Sequence, residues 1–159
     1  MVNNAPYIYW RTILFGDTDA AGVVYTPRFS EYCMEAAEFW FREYACIDWY
    51  QQSMQGLGTP VVHMELDFKA PLVGNDQLGV VVQVAKIGRT TVTLLMKGIG
   101  DRKTAGDPAI IFTAKFVFCF IKAESRRPYD IPNDQRRLIE SYYVNCDGSA
   151  SVNTETGKY

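Results

Sequence analysis

The chain has 159 residues, 48% of them apolar and 14% aromatic, and a formal net charge of -2 at pH 7. That length and composition suit one domain able to bury its own core without metal or disulfide support, and the lack of any dense run of Lys or Arg argues against nucleic acid as a partner. Cys33, Cys46, Cys119 and Cys146 form no C-x-x-C pair and no zinc-ligand spacing, the N-terminus has no basic segment leading into an apolar one, and no apolar run approaches the roughly 18 residues of a membrane span, so a soluble, cytoplasmic protein with free thiols is expected.

Residues 7–14, YIYWRTIL, are aromatic and β-branched as a half-buried strand requires, and they stop at the Gly16–Asp17 turn signal. Thr26–Pro27 reads as a helix start, with Thr26 as N-cap and Pro27 at the first helical position. Behind it Phe29, Tyr32, Cys33, Ala36, Ala37, Trp40 and Tyr44 recur at three- and four-residue spacing, the stripe of a long amphipathic helix. After Gly56 and Gly58 the period changes to two, with Val62, Met64, Leu66 and Phe68 on one face and His63, Glu65 and Asp67 on the other.

Three more β-rich runs follow at 76–87, 90–100 and 108–122, divided by Gly-Arg and Asp/Gly/Pro turns, then a short amphipathic helix over 132–143. Strand, long helix and four strands in that order predict an α+β domain over residues 1–146 with an antiparallel five-stranded sheet wrapped around one long helix. Residues 147–159 are polar enough for a loose tail.

The segment FGDTDAAGVVYTPRF at 15–29 places two carboxylates just ahead of the helix entrance. Together with the order of elements it resembles the hotdog-fold thioesterases of the 4-hydroxybenzoyl-CoA thioesterase type, over roughly residues 8–122, and D-T-D-A-A-G-V-V-Y is its most specific part. The resemblance implies that the second motif carboxylate, Asp19, is catalytic, that Asp17 supports it, and that the backbone amide at Thr26 polarises the thioester carbonyl. Elementary chemistry agrees: thioester hydrolysis needs a carboxylate near the carbonyl carbon and N–H donors for the oxygen that becomes negative, and unpaired first-turn amides of a helix supply such donors. Asp19 would act as nucleophile or as general base. Alternatively, Asp17 and Asp19 are turn-forming residues only.

The same resemblance places Tyr25, Met34, Trp49, Thr59 and His63 around the acyl group and Arg89, Thr90 and Thr91 on the nucleotide end of coenzyme A. Met34 stands where the 4-hydroxybenzoyl enzymes present a carboxylate to the substrate phenol. Burying that hydroxyl without a partner costs about 1–3 kcal/mol, so an unsubstituted aryl group suits the position better. The turn I-G-R-T-T keeps Arg89 but has Gly88 and Thr90 where the relatives are basic; Lys86, Arg126 and Arg127 are candidates to supplement it. His63 is the single histidine and no G-x-S-x-G elbow is present, which removes a serine hydrolase; His63 reads equally as a substrate contact and as a surface residue bonded to a neighbour.

The expected activity is hydrolysis of an acyl-CoA, of aromatic, benzoyl type, without metal or organic cofactor, coenzyme A being part of the substrate. Pairing of hotdog domains edge to edge implies a homodimer, or a tetramer built from two, with each site between two chains. A thioesterase for short aliphatic acyl-CoAs and a non-catalytic acyl-CoA-binding protein are the alternatives.

Overall fold

The computed structural model describes residues 5–101 and 109–146, so the tail expected at 147–159 lies outside the described residues. Five strands form one antiparallel sheet: β1 (Tyr7–Thr12), β3 (Val61–Phe68), β4 (Gln77–Ile87), β5 (Thr91–Asp101) and β6 (Ala109–Cys119), in the order β1-β4-β5-β6-β3. Helix α1 (Arg28–Tyr44) lies on one face of this sheet. A six-residue helix, α2 (Trp49–Met54), a two-strand ladder of β2 (Leu57–Gly58) with β7 (Ile121–Lys122), and α3 (Asn133–Cys146) complete it.

The period-two pattern explains which sheet face meets the helix. Leu78, Val80, Val82 and Val84 of β4, Val92, Leu94 and Met96 of β5, and Phe112, Ala114, Phe116 and Phe118 of β6 are all buried on the α1 side. The helix meets them with Phe29, Tyr32, Cys33, Ala36, Ala37, Trp40 and Phe41. Each large side chain removed from water there contributes about 1.5–3 kcal/mol. Ala36 and Ala37 are fully buried between the bulkier positions, where small side chains let the helix backbone approach the sheet.

Three local expectations shift. The helix begins one residue later than the Thr26 cap implies: Pro27 is the N-cap at φ -62°, ψ -22°, and no side chain caps the end, because the chain enters through tight bonds from Arg28 N to the Tyr25 carbonyl and Phe29 N to that of Thr26. The 108–122 run divides into β6 and β7 at Phe120, whose N–H turns to the Thr90 carbonyl. Helix α2 was not anticipated, although Asp48, which accepts the Gln51 N–H at 3.0 Å, is a regular N-cap signal.

The sheet has two edges. At one of them β3 pairs with β6 through Met64–Phe116, Leu66–Ala114 and Phe68–Phe112 and has no second neighbour among the described residues. Val62, Met64 and Phe68 on it are each about half exposed, at 59%, 48% and 52%. An unpaired strand carrying apolar side chains is a surface that calls for a partner.

Candidate active site

Residues 17–26 form a short hairpin-like loop between β1 and α1. Asp19 N donates to the Val23 carbonyl at 2.9 Å, Tyr25 N donates to the Asp17 carbonyl at 2.9 Å, and Thr18 bridges Val24 between them. The turn closes at Gly22, which lies at φ +79° where an L side chain is strained, and the Asp19 carboxylate accepts the Ala21 N–H at 2.8 Å through Oδ1. Asp19 is exposed, and among the described residues nothing donates to its Oδ2. On the opposite arm the Thr26 N–H finds no acceptor among the described residues. Carboxylate and free amide therefore sit on the two arms of one bonded loop, with the amide at the positive end of a 17-residue helix.

Beneath the loop is a charged cluster. Asp17 is 7% exposed, and its Oδ2 accepts both the Leu14 N–H at 2.8 Å and Arg11 Nη2 at 3.0 Å. Arg11 Nη1 reaches both oxygens of Glu35 on α1, at 3.0 and 2.8 Å, and the guanidinium carbon stands 4.2 Å over the Tyr32 ring. Burial alone would weaken the Arg11 charge, but the Glu35 bond and the charges of Glu35 and Asp17 raise its pKa overall. Burial, then the Asp17 charge, pushes the Tyr32 phenol up to about 12. Glu31 and Glu35 are committed to Arg28 and Arg11.

A cleft of about 320 Å³ opens beside this loop, lined by Val23, Val24, Thr26 and Phe29 on one wall and by Phe68, Lys69, Ala70 and Pro71 on the other. Phe29 and Phe68 meet edge to face, their centroids 5.3 Å apart. The cleft therefore borders the end of the unpaired strand β3. Tyr25 is half exposed next to the free amide, and Met34 is partly buried on α1, about 9 Å along the axis from its first residue at roughly 1.5 Å per residue.

The remaining expected site residues gather at the other end of the sheet. β3 runs for 8 residues, about 25 Å at roughly 3.3 Å each, and its first residue, Val61, pairs with Phe118 while its last, Phe68, pairs with Phe112 beside the loop. Thr59 lies two residues before that far end. It is 7% exposed and its hydroxyl donates to Gln52 Oε1 at 2.7 Å. Trp49 packs there on Phe41 and Phe118, its indole N–H buried without an acceptor among the described residues. His63 pairs with Val117 and faces away from α1, bonded to Glu65 at 2.7 Å; Glu65, held by His63 and Lys115, has its pKa lowered.

The turn at 88–90 shares this end, since Ile87 pairs with Val92 and Thr91 with Cys119. Its backbone is braced from α3 and the segment before it: Arg136 donates to the Gly88 and Arg89 carbonyls, Ile131 N to that of Arg89, and Phe120 N to that of Thr90. The Thr91 carbonyl takes the Gly88 N–H. The Arg89 side chain points to solvent and is closed on Asp130. One chain thus brings Asp19, Tyr25, Thr26 and Met34 to one side and keeps Trp49, Thr59, His63, Arg89, Thr90 and Thr91 apart from them.

Several known proteins resemble this chain in sequence or in fold. A 1,4-dihydroxy-2-naphthoyl-CoA hydrolase of Synechococcus elongatus is 27% identical over 157 residues, spanning 90% of this chain and 99% of that protein. Its counterpart in Thermosynechococcus vestitus is 36% identical over 99 residues, 59% of this chain and 66% of the relative. Among solved structures, 4-hydroxybenzoyl-CoA thioesterase in complex with 4-hydroxybenzoyl-CoA superposes with a TM-score of 0.77 at 21% identity, over 84% of this chain and 97% of that one. A gentisyl-coenzyme A thioesterase superposes at 0.74 with 22% identity, over 84% and 99%. Residues 13–139 match the thioesterase-like superfamily, which takes in the motif loop, α1 and all the strands except β1, and the chain belongs to that family of hotdog-fold thioester hydrolases.

Proposed function

We propose that the protein hydrolyses an aromatic acyl-CoA to the free acid and coenzyme A, with Asp19 and the Thr26 amide as its reacting pair. The observation that supports this reading is the bonded loop ahead of the helix, which carries an exposed carboxylate on one arm and an unpaired amide on the other. The thioester oxygen accepts the Thr26 N–H, which stabilises negative charge as the carbonyl carbon becomes tetrahedral. Asp19 Oδ2 either attacks that carbon, giving a mixed anhydride that water opens, or takes a proton from the attacking water. In both routes the carbon–sulfur bond breaks and the thiolate leaves to be protonated as coenzyme A. No metal and no organic cofactor enters the scheme.

The aromatic preference draws on the naphthoyl-CoA hydrolase relatives and on Met34, an apolar and polarisable side chain on the helix. The separation of the site residues supports a homodimer. If the open edges of two β3 strands pair antiparallel about a two-fold axis, the Val61 end of one meets the Phe68 end of the other. Thr59, His63 and Arg89 of one chain then border the Asp19 loop of its partner, and the half-exposed Val62, Met64 and Phe68 are covered. Arg89, with Lys86, Arg126 and Arg127 at the same end, serves the phosphates of coenzyme A, and Thr90 and Thr91 shape its turn. None of the helices among the described residues is long and apolar enough to cross a membrane, and we place the protein in the cytoplasm, where acyl-CoA is made and used.

Asp19→Asn keeps the loop's hydrogen bond to Ala21 and removes the charge; kcat on benzoyl-CoA should fall at least about a hundredfold, the scale of one acid–base group. Near wild-type turnover would overturn the assignment. After a single turnover in ¹⁸O-water, label in Asp19 would establish the anhydride route with water attacking the Asp19 carbonyl, because the general-base route leaves none there. A rate on butyryl-CoA equal to that on benzoyl-CoA would replace the aromatic reading by a short-chain one, and binding without thiol release across a panel of acyl-CoAs would make the protein a non-catalytic binder.

A further inference from the structure

The cluster around Arg11 lies outside the reacting groups, yet it joins every element that places them. Arg11 belongs to β1, Glu35 to α1 and Asp17 to the loop, and the guanidinium binds both carboxylates at once while resting on Tyr32, also of α1. Asp17 transmits the grip in two directions. Its carboxylate fixes the Leu14 N–H at the start of the loop, and its carbonyl fixes the Tyr25 N–H in the peptide immediately before the Thr26 amide. One bond further along the same ladder is Asp19 N to the Val23 carbonyl. Arg11, at 16% side-chain exposure, is also the cation in direct contact with the buried Asp17 carboxylate, with Arg28 Nε more distant at 3.9 Å.

We propose that Arg11 is a positioning residue of the active site, which sets the Asp19 carboxylate and the Thr26 amide against the helix through its simultaneous grip on Asp17 and Glu35. The planar fork of a guanidinium is what permits this: two oxygens of Glu35 on one nitrogen and an oxygen of Asp17 on the other. A lysine would carry the charge but not the shape. The inference rests on Asp19 and Thr26 being the reacting pair.

The test compares wild type, Asp19→Asn, Arg11→Lys and Arg11→Ala on benzoyl-CoA, with the folded fraction of each measured by circular dichroism at the assay temperature. For folded Arg11→Ala, kcat should fall about a hundredfold, the scale of misplacing reacting groups by about 1 Å, while KM stays near wild type. Millimolar guanidinium should restore part of that kcat by filling the gap between Asp17 and Glu35. A residue that merely stabilised the fold would respond oppositely, because guanidinium weakens a marginal fold. Wild-type kcat in folded Arg11→Ala, or inhibition without rescue, overturns the proposal. If Arg11→Ala does not fold, Arg11→Lys decides: a reduced kcat at unchanged KM supports it and a wild-type kcat overturns it. The Asp19→Asn arm separates the two failures, since an active Asp19→Asn sinks the reacting pair itself, whereas an inactive one beside a fully active Arg11 variant sinks only the positioning role.

Discussion

Asp19 N and the Val23 carbonyl, 2.9 Å apart, are joined across a turn that passes through Gly22 at φ +79°, and this short link holds the carboxylate arm of the loop to the amide arm. A Cβ placed on Gly22 would meet nothing within 4 Å, so a substitution there acts through the backbone alone. Gly22→Ala should cost about 1–2 kcal/mol of stability from the left-handed conformation. It should also lower kcat more than KM is changed, because the strain is relieved by moving Asp19 relative to Thr26. Gly22→Asn, which tolerates positive φ better, should keep more of the activity. A larger loss in Gly22→Asn than in Gly22→Ala would show that side-chain bulk, not backbone conformation, governs the loop. Thermal melts and steady-state rates measure both effects.

Much of this loop is legible in sequence because its parts are local. Asp17 and Asp19 read as turn residues, and Pro27 marks the helix entrance to within one residue. The α1 stripe is an equally local pattern, and Phe29, Tyr32, Cys33, Ala36, Ala37 and Trp40 are buried as expected; on β3 the register shifts between Val61 and His63, so Val61 packs against the core and Val62, expected beside Met64 on the apolar face, is 59% exposed. What could not be read is long-range: Arg11 meets Glu35 across 24 residues, and no spacing rule connects a strand residue to a helix residue in that way. Strand pairing likewise sets Thr59 and Asp19 at opposite ends of the sheet, and it is the family resemblance, not any spacing rule, that assigns them to different chains. Thr59 also illustrates how burial alters a role. Its hydroxyl donates to Gln52, so that proton is not free for a ligand.

The open edge of β3 yields a second prediction. Met64 is 48% exposed at the middle of the strand, so Met64→Asp should leave the isolated chain folded while placing a charge where two copies would pair. Sedimentation should then show a monomer, with circular dichroism unchanged, and thioesterase activity should fall together with dimerisation. A fully active monomer would mean that Asp19 and Thr26 work without Thr59, His63 and Arg89 from a second chain.

Arg89 and Asp130 form an ion pair with side-chain exposures of 76% and 66%, and such a pair adds little to stability, about 0–1 kcal/mol. A phosphate that binds Arg89 must compete with Asp130. Arg89→Gln should therefore raise KM for the CoA ester by roughly three- to tenfold with little change in kcat. Asp130→Asn should lower KM at low ionic strength, and added salt should erase that gain as it screens both partners. A rise in KM for Asp130→Asn would instead mean that Asp130 holds Arg89 in its binding pose.

Alkaline pH should expose the cost of the buried acids on α1. Burial pushes the Cys33 thiol from 9.0 up to about 12, and Cys33 is fully enclosed beneath the helix. Tyr32 beside it is likewise raised to about 12. For groups whose folded pKa lies above the unfolded value, the folded state holds more protons between the two values. Stability is therefore full below about pH 9 and declines as pH rises towards 12, by up to about 1.4 kcal/mol per unit for each such group. Cys33→Ala removes one of these protons at the expense of a small cavity: it should lower stability at pH 7 but flatten its fall between pH 9 and 10.5, before Tyr32 and Tyr7, which burial also raises to about 12, dominate. Urea unfolding of both proteins across that range gives the two slopes. Identical slopes would mean that the Cys33 thiol does not set the alkaline limit, and slow reaction of Cys33 with a thiol reagent in the native protein, beside fast reaction of the exposed Cys46, would give an independent measure of its enclosure.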